Sequence, residues 1–281
     1  MPINRRKFVK KTFLATLGAG LFTGIYAWQI EPRWLEFVER KMPTPNLPIA
    51  LKGKTLMQIS DLHVGNRFDY KYLIHAFEKA KSYTPNIVVY TGDFISLVNG
   101  KPDLVKLREV CENLVLGSIG TVAILGNHDY GKDWADAEVA QQVVDLLEEH
   151  GVAVLRNTSL ALEGLNIIGL DDLWANRCDI AKGLENLDAN QANLVLAHNP
   201  DTCDLPGWKD FSGWILSGHT HGGQVKPPFL NPPMLPVKNK RYSAGEIVLD
   251  DKRTLYINRA LGHLWQIRFN VRPEITIFEL A

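Results

Sequence analysis

Five short apolar runs in this chain each stop at a cluster of Asp, Asn or His. They lie at 56–59, 87–90, 122–125, 194–197 and 214–216. Runs this short and this uniformly apolar read as strands buried on both faces, so something must cover each face. Helical spacing supplies covers at 70–82 (Leu73, Phe77, Ala80), 102–114 and 135–150 (Val139, Val143, Leu146, Leu147). The order βαβαβ predicts an α/β fold. Beyond Val152 the texture changes, with further short strands at 153–155, 160–162, 167–168, 246–249, 255–257 and 275–280 and little helix between them. No internal repeat or second domain boundary is visible.

A chain of 281 residues with 46% hydrophobic and 22% charged residues suits a folded soluble domain. Lys+Arg and Asp+Glu both number 31, so net charge gives no reason to expect a nucleic-acid partner. The three cysteines, Cys111, Cys178 and Cys203, show no paired spacing, so neither a disulfide framework nor a zinc ribbon is indicated. Cys111 shares an apolar helix face with Leu104, Leu107 and Leu114 and reads as a buried, inert thiol.

The N-terminus is set apart. Arg5, Arg6, Lys7, Lys10 and Lys11 precede nineteen uncharged residues, Thr12 to Ile30. A basic start before an apolar stretch is a targeting segment or an anchor. The paired arginines followed by Phe8 resemble a twin-arginine export signal. No small-x-small cleavage site is evident, so a removed peptide and an uncleaved anchor both stand. The positive-inside rule puts the rest of the chain outside the cytoplasm. The expected organisation is a signal or signal-anchor at 1–30, a proline-bearing linker at 31–52 and one domain at 53–281.

The polar clusters follow one habit. They are Asp61-Leu62-His63, Gly92-Asp93, Gly126-Asn127-His128-Asp129, His198-Asn199 and Gly218-His219-Thr220-His221. In an open α/β sheet, ligands bind beyond the carboxyl ends of strands. In extended backbone, residues two apart point the same way, so Asp61/His63 and His219/His221 can each offer two ligands to one place. Five of the eight histidines directly follow strands. The donors are N and O without thiolate, which suits a pair of divalent ions (Mn, Fe, Zn, Co or Mg) rather than a structural zinc. His75, His150 and His263 read as ordinary structural or surface residues.

The blocks D-x-H, G-D, G-N-H-D, H and G-H-x-H, in this order, resemble the calcineurin-like metallophosphoesterases from about Leu56 to the C-terminus. Asp172-Leu173-Trp174, 196–201, 218–224, Lys240-Arg241-Tyr242 and Arg272-Pro273-Glu274 are similar to the exported YaeI/YkuE-type phosphodiesterases, which also begin with a twin-arginine signal. The resemblance implies a four-layer α/β/β/α sandwich of two mixed sheets. It implies that Asp61, His63 and His221 bind one metal, that Asp93 bridges, and that Asn127, His198 and His219 bind the second. It implies hydrolysis of a phosphodiester by in-line attack of a hydroxide held between two ions ~3.5–4 Å apart. His128 then serves as general acid, and Asp129 either orients His128 or caps a turn.

Protein phosphatases of this superfamily continue G-D with x-V-D-R-G, whereas Gly92-Asp93 here runs into Phe94-Ile95-Ser96-Leu97. A phosphoprotein substrate is therefore not expected. Arg67 and Arg259 are candidate phosphate clamps, with a solvated loop charge as the alternative. The proline-rich stretch 227–236 is neither helix nor central strand, and is expected to pack on its own domain rather than dip into a membrane. Two rival readings remain. One is a UDP-2,3-diacylglucosamine pyrophosphatase-like hydrolase of lipid A synthesis, with a lipid-linked substrate. The other is a non-catalytic metal-binding scaffold. The expected partners are a phosphodiester substrate, the twin-arginine translocase and the cytoplasmic membrane through residues 12–30. The expected location is the outer face of that membrane or the periplasm.

Overall fold

The computed structural model describes residues 5–65, 69–250 and 252–281. In chain order the elements are α1 (Arg5–Ile25), β1 (Glu36–Met42), β2 (Thr55–Ile59), α2 (Lys71–Lys81), β3 (Ile87–Thr91), α3 (Leu104–Cys111), β4 (Gly120–Ile124) and α4 (Ala137–Glu149). There follow β5 (Ala153–Val154), β6 (Thr158–Leu162), β7 (Leu165–Gly169), α5 (Ile180–Gly183), β8 (Ala192–Leu196), β9 (Gly213–Ser217), β10 (Gly245–Val248), β11 (Arg253–Ile257) and β12 (Glu274–Leu280).

Two six-stranded mixed sheets pack face to face. The first has the order β1-β12-β2-β3-β4-β5 and the second β10-β11-β9-β8-β7-β6. The strands β3, β4, β8 and β9 lie inside the sheets and are buried almost throughout, as their unbroken apolar runs require. Between the sheets Leu56, Val89, Val122, Leu194, Leu216 and Phe278 interdigitate. The helices α2, α3 and α4 cover the outer face of the first sheet, burying Leu73, Phe77, Leu107, Val143 and Leu147. The helix α3 starts at Asp103, whose carboxylate accepts from Lys106 N, and α4 at Asp136, which accepts from Glu138 N and Val139 N. The fourth layer is thin. The one-turn α5 and irregular segments bring Ile180, Leu184, Trp208, Phe211 and Tyr242 onto the outer face of the second sheet.

The segment 31–52, expected as a linker, carries β1, which pairs in parallel with β12 from Glu36↔Glu274 to Met42↔Leu280. Four of its seven residues are charged, and most of these lie on its more exposed half. Edge positions tolerate charge because one side faces solvent, so no apolar run announces the strand. Glu31 and Pro32 are also buried. The helix α1 has no buried residue, and with its continuation to Arg33 it is long and apolar enough to cross a membrane, a property signal sequences share.

Cys111 and Cys203 are buried free thiols, and burial pushes both pKa values up to about 12. Buried and held in the thiol form, both are poor nucleophiles. Native protein is expected to resist maleimide at both positions over an hour, whereas in guanidinium at denaturing concentration all three cysteines react. Mass spectrometry of the labelled peptides reads the result.

Candidate active site

All five polar clusters lie at the carboxyl ends of parallel strands: β2, β3 and β4 of the first sheet, and β8 and β9 of the second. A buried polar seam joins the sheets there. Gln58 donates to the Ser217 carbonyl at 2.9 Å and to Thr91 Oγ1 at 3.1 Å. The Asp61 carboxylate accepts from His219 N at 3.0 and 3.2 Å.

Ligand atoms collect in three overlapping groups, each within 4.8 Å: Asp61/His63/His221, His63/Asp93/His128 and Asp93/His198/His219. His63 Nε2 and His221 Nε2 face each other at 3.0 Å, and His221 Nε2 lies 3.3 Å from Asp61 Oδ1. On the other side His198 Nε2 lies 3.2 Å from both Asp93 Oδ2 and His219 Nδ1. His219 and His221 therefore serve different groups, not one place as alternation in a strand implies. The backbone is not extended there. Asp61, His63, Asp93, His219 and His221 all have φ between 51° and 69°. Asp and His tolerate this left-handed region better than most residues, at ~1–3 kcal/mol of strain each.

Two glycines allow the approach. A Cβ on Gly126 would fall 2.2 Å from Asp93 Oδ1, and one on Gly218 would fall 2.0 Å from Ser60 Oγ and 2.3 Å from Asp61 Oδ2.

Groups behind the imidazoles orient them. His198 Nδ1 donates to the Thr91 carbonyl at 2.7 Å, turning Nε2 inward. His219 Nε2 donates to the Pro236 carbonyl at 2.9 Å, turning Nδ1 inward. His63 Nδ1 meets Ser96 Oγ at 2.9 Å. Burial would raise the Asp61 pKa, but His221 and His198 outweigh it and hold it at about 2. Asp93 is likewise held well below the carboxylate range, against burial, by His198 and His128. Burial and His198 push His219 down to about 3. Asp93 and Asp61 in turn hold His198 well above the usual imidazole range, against burial, so positive charge gathers between the two carboxylates.

The donor set fits divalent cations. Among the described residues, the cationic partners of Asp61 and Asp93 within salt-bridge distance are imidazoles alone. Both side-chain amide atoms of Asn127 are buried without a hydrogen-bond partner, as is His221 Nδ1. Asn127 sits between Gly126 and His128, both of which touch Asp93, and an orphaned buried amide oxygen there is costly unless a cation accepts its lone pair.

His128 is the one imidazole of the five that is not fully buried. Its ring meets His63 edge-on at 5.0 Å, and its backbone N donates to Asp93 Oδ1 at 2.9 Å. Asp129 turns away from that ring. Its buried carboxylate accepts from four backbone amides: Asp93 N (2.9 Å), Phe94 N (2.7 Å), Ile95 N (3.2 Å) and Gly126 N (2.8 Å). It clamps the loop after β3 to the loop after β4.

The structure gives Arg259, a candidate phosphate clamp, carboxylate partners within the fold. Its guanidinium is paired with Glu274 and, at 3.1 Å, with Glu36, which ties the end of β11 to β12 and β1. Arg67 lies outside the described residues. The bland reading of the other histidines holds. His75 is exposed beside Glu78, His150 bonds the Leu146 carbonyl, and His263 accepts from Arg268 Nε at 2.7 Å. Trp174, not singled out as a site residue, meets His219 edge-on at 4.4 Å and packs on Trp134 at 4.7 Å. Its sequence signal is the Asp172-Leu173-Trp174 block. The stretch 227–236 also departs from expectation, because Phe229, Leu230 and Met234 are exposed rather than packed.

Residues 54–223 match the family described as Calcineurin-like phosphoesterase. The chain is 30% identical to Phosphodiesterase YaeI of Escherichia coli (strain K12), covering 99% of this chain and 100% of that protein. It is 31% identical to the uncharacterized metallophosphoesterase YkuE of Bacillus subtilis (strain 168), over 99% and 98%. It is 29% identical to UDP-2,3-diacylglucosamine pyrophosphatase LpxG of Chlamydia muridarum (strain MoPn / Nigg), over 94% of each chain. Family and relatives together define a metal-dependent phosphoric ester hydrolase. The chain belongs to the calcineurin-like phosphoesterase family.

Two substitutions test the structural roles. Asp129→Asn turns an acceptor of four amides into a group that also donates, and is expected to lower stability by about 2–4 kcal/mol. The urea midpoint should fall at constant m, while the pH profile of residual activity keeps its shape. Arg259→Leu removes the cation beside the buried Glu274 carboxylate, which keeps hydrogen bonds from Tyr256 and Thr276, and is expected to cost about 3 kcal/mol in the same measurement. It should leave KM for a small soluble diester within about twofold, because a uniform binding contact would show there.

Proposed function

We propose that the chain is a dinuclear metal-dependent phosphodiesterase. Asp61, His63 and His221 would hold one ion, Asn127, His198 and His219 the other, and Asp93 would lie between them. The observation that carries this reading is the pair of ligand groups Asp61/His63/His221 and Asp93/His198/His219, joined where His63 Nε2 comes within 3.6 Å of Asp93 Oδ2, together with the buried, partnerless Asn127 amide. When bound, two divalent cations supply a water-derived nucleophile at neutral pH and neutralise the phosphoryl oxygens. Nitrogen and oxygen donors admit Mn, Fe, Zn, Co or Mg.

The chain's own residues do the rest. His128 stands at the mouth of the site, next to Asp93 and His63, and is partly open to solvent. It donates a proton to the leaving oxygen as the P–O bond breaks. The Asp129 clamp holds the turn that carries it. The closed-in walls exclude bulk water around the buried carboxylates.

A second reading, a pyrophosphatase of a nucleotide-linked lipid, draws on the likeness to LpxG and on the exposed apolar residues beside the site. For location, we read α1 as a twin-arginine-led signal or uncleaved anchor that puts the domain at the outer face of the cytoplasmic membrane. Protease added to intact cells and to spheroplasts tests this. Degradation only after the outer barrier is opened is expected, and protection in spheroplasts would favour the pyrophosphatase.

His128→Ala is expected to lose ~10²–10⁴-fold in kcat on a diester with an alkyl leaving group. The loss should be much smaller with p-nitrophenolate, which leaves without a proton. Elemental analysis should still find two metals per chain, and loss of metal with activity would remove His128 from the proton-donor role. Chelation should abolish turnover and Mn²⁺ restore it. A protein inert with each of the five metals would instead favour a scaffold.

A further inference from the structure

One wall of the site is apolar and leads toward the foot of α1. A groove of about 600 Å³ runs from His219 and His221 between the stretch 233–236 and the loop 264–267. That volume falls within the ~300–1,000 Å³ of ordinary small-molecule sites. Met234 and Leu235 line one side, and Leu264, Trp265 and Ile267 the other. Nothing in the chemistry of a phosphoester needs such a surface. Yet Met234 is 78% exposed, Trp265 75% and the adjoining Phe229 fully so. A cluster of large exposed apolar side chains beside a catalytic cleft marks a binding surface rather than packing.

The loop that forms one wall is stapled to the segment leaving α1. Arg268 N donates to the Ala27 carbonyl at 2.9 Å. Gln266 Nε2 donates to the Trp28 carbonyl at 3.1 Å. The Arg268–Ala27 bond is a main-chain link, so it ties the wall directly to the backbone at the helix foot. Val271 N adds a bond to the buried Glu31 carboxylate at 2.5 Å, and Tyr26 meets Phe269 edge-on at 6.4 Å. The helix α1 itself buries nothing and is apolar enough for a bilayer. The groove therefore adjoins the one helix, among the described residues, with the length and composition to cross a membrane.

We propose that this groove holds the hydrocarbon chain of a phosphoester lipid drawn from the bilayer in which α1 sits, with the headgroup phosphorus reaching the ligand cluster. The exposed side chains of Phe229, Met234 and Trp265 form its lipid-facing rim. This rests on the phosphodiesterase reading and adds the substrate class to it. The stapled loop fixes the distance between helix foot and site, so a lipid can be hydrolysed without leaving the membrane surface.

The test uses the full chain in nanodiscs, loaded with Mn²⁺, and two esters with the same scissile bond: ethyl p-nitrophenyl phosphate and hexadecyl p-nitrophenyl phosphate. Burial of roughly three or four of the added methylenes would favour the hexadecyl ester by about 100-fold in kcat/KM. In Trp265→Glu and Met234→Glu the hexadecyl-to-ethyl ratio should fall at least about tenfold, as a charge on an apolar rim opposes chain burial. Equal rates for the two esters, or a preference that persists in both variants, would overturn the groove assignment while leaving the phosphodiesterase intact. A second measurement does not depend on turnover. Hexadecyl phosphate carrying a terminal diazirine should label peptides containing Met234 and Trp265, and labelling confined to α1 would overturn the proposal.

Discussion

Four backbone N–H groups converge on the buried Asp129 carboxylate, and the site is built on that clamp. Burial and the nearby Asp93 push the Asp129 pKa up, while the amide donors oppose them. The clamp fixes the turn after β3, which carries Asp93, to the turn after β4, which carries Asn127 and His128. Without the amide donors, the Asp129 and Asp93 carboxylates would approach one another uncompensated. With the clamp, Asp93 Oδ1 also accepts from His128 N, so one hydrogen-bonded unit sets three site residues at once.

The left-handed backbone at Asp61, His63, Asp93, His219 and His221 follows from the same demand. Strand ends from two sheets must aim several candidate ligands at a small volume, and an extended chain would point residues two apart, such as His219 and His221, the same way rather than into separate groups. Turning the backbone at each ligand brings them inward at a local energetic cost. Gly126 and Gly218 leave the room that the turned carboxylates occupy. The strain is sustained by the two packed sheets behind it, whose inner strands are buried nearly completely.

The periphery is built differently from the centre. Arg259 joins three strands of two sheets through Glu36 and Glu274, which makes the edge strand β1 part of the domain. Beside it, the loop 263–271 connects the foot of α1 to the groove wall. Polar bonds thus secure the edge of the fold, and apolar surface remains at the opening of the site.

Much was legible from the chain alone, because ligand chemistry is a local property. A strand ending in Asp61-Leu62-His63 or in Gly218-His219-Thr220-His221 announces both the strand and the donors. The same holds for α2, α3 and α4, whose apolar stripes match the residues they bury. The strand β1 was not legible, since four charges in seven residues hide an edge strand. Nor were the partners of Arg259 and Asp129, since both side chains have residue types that suit phosphate binding or histidine orientation equally well. Residue type and spacing determined which atoms could bind metal. Only the packing of the two sheets decided that Asp129 faces amides and that an apolar groove opens beside α1. Those are contacts between residues far apart in the chain, and their distances depend on the whole tertiary arrangement.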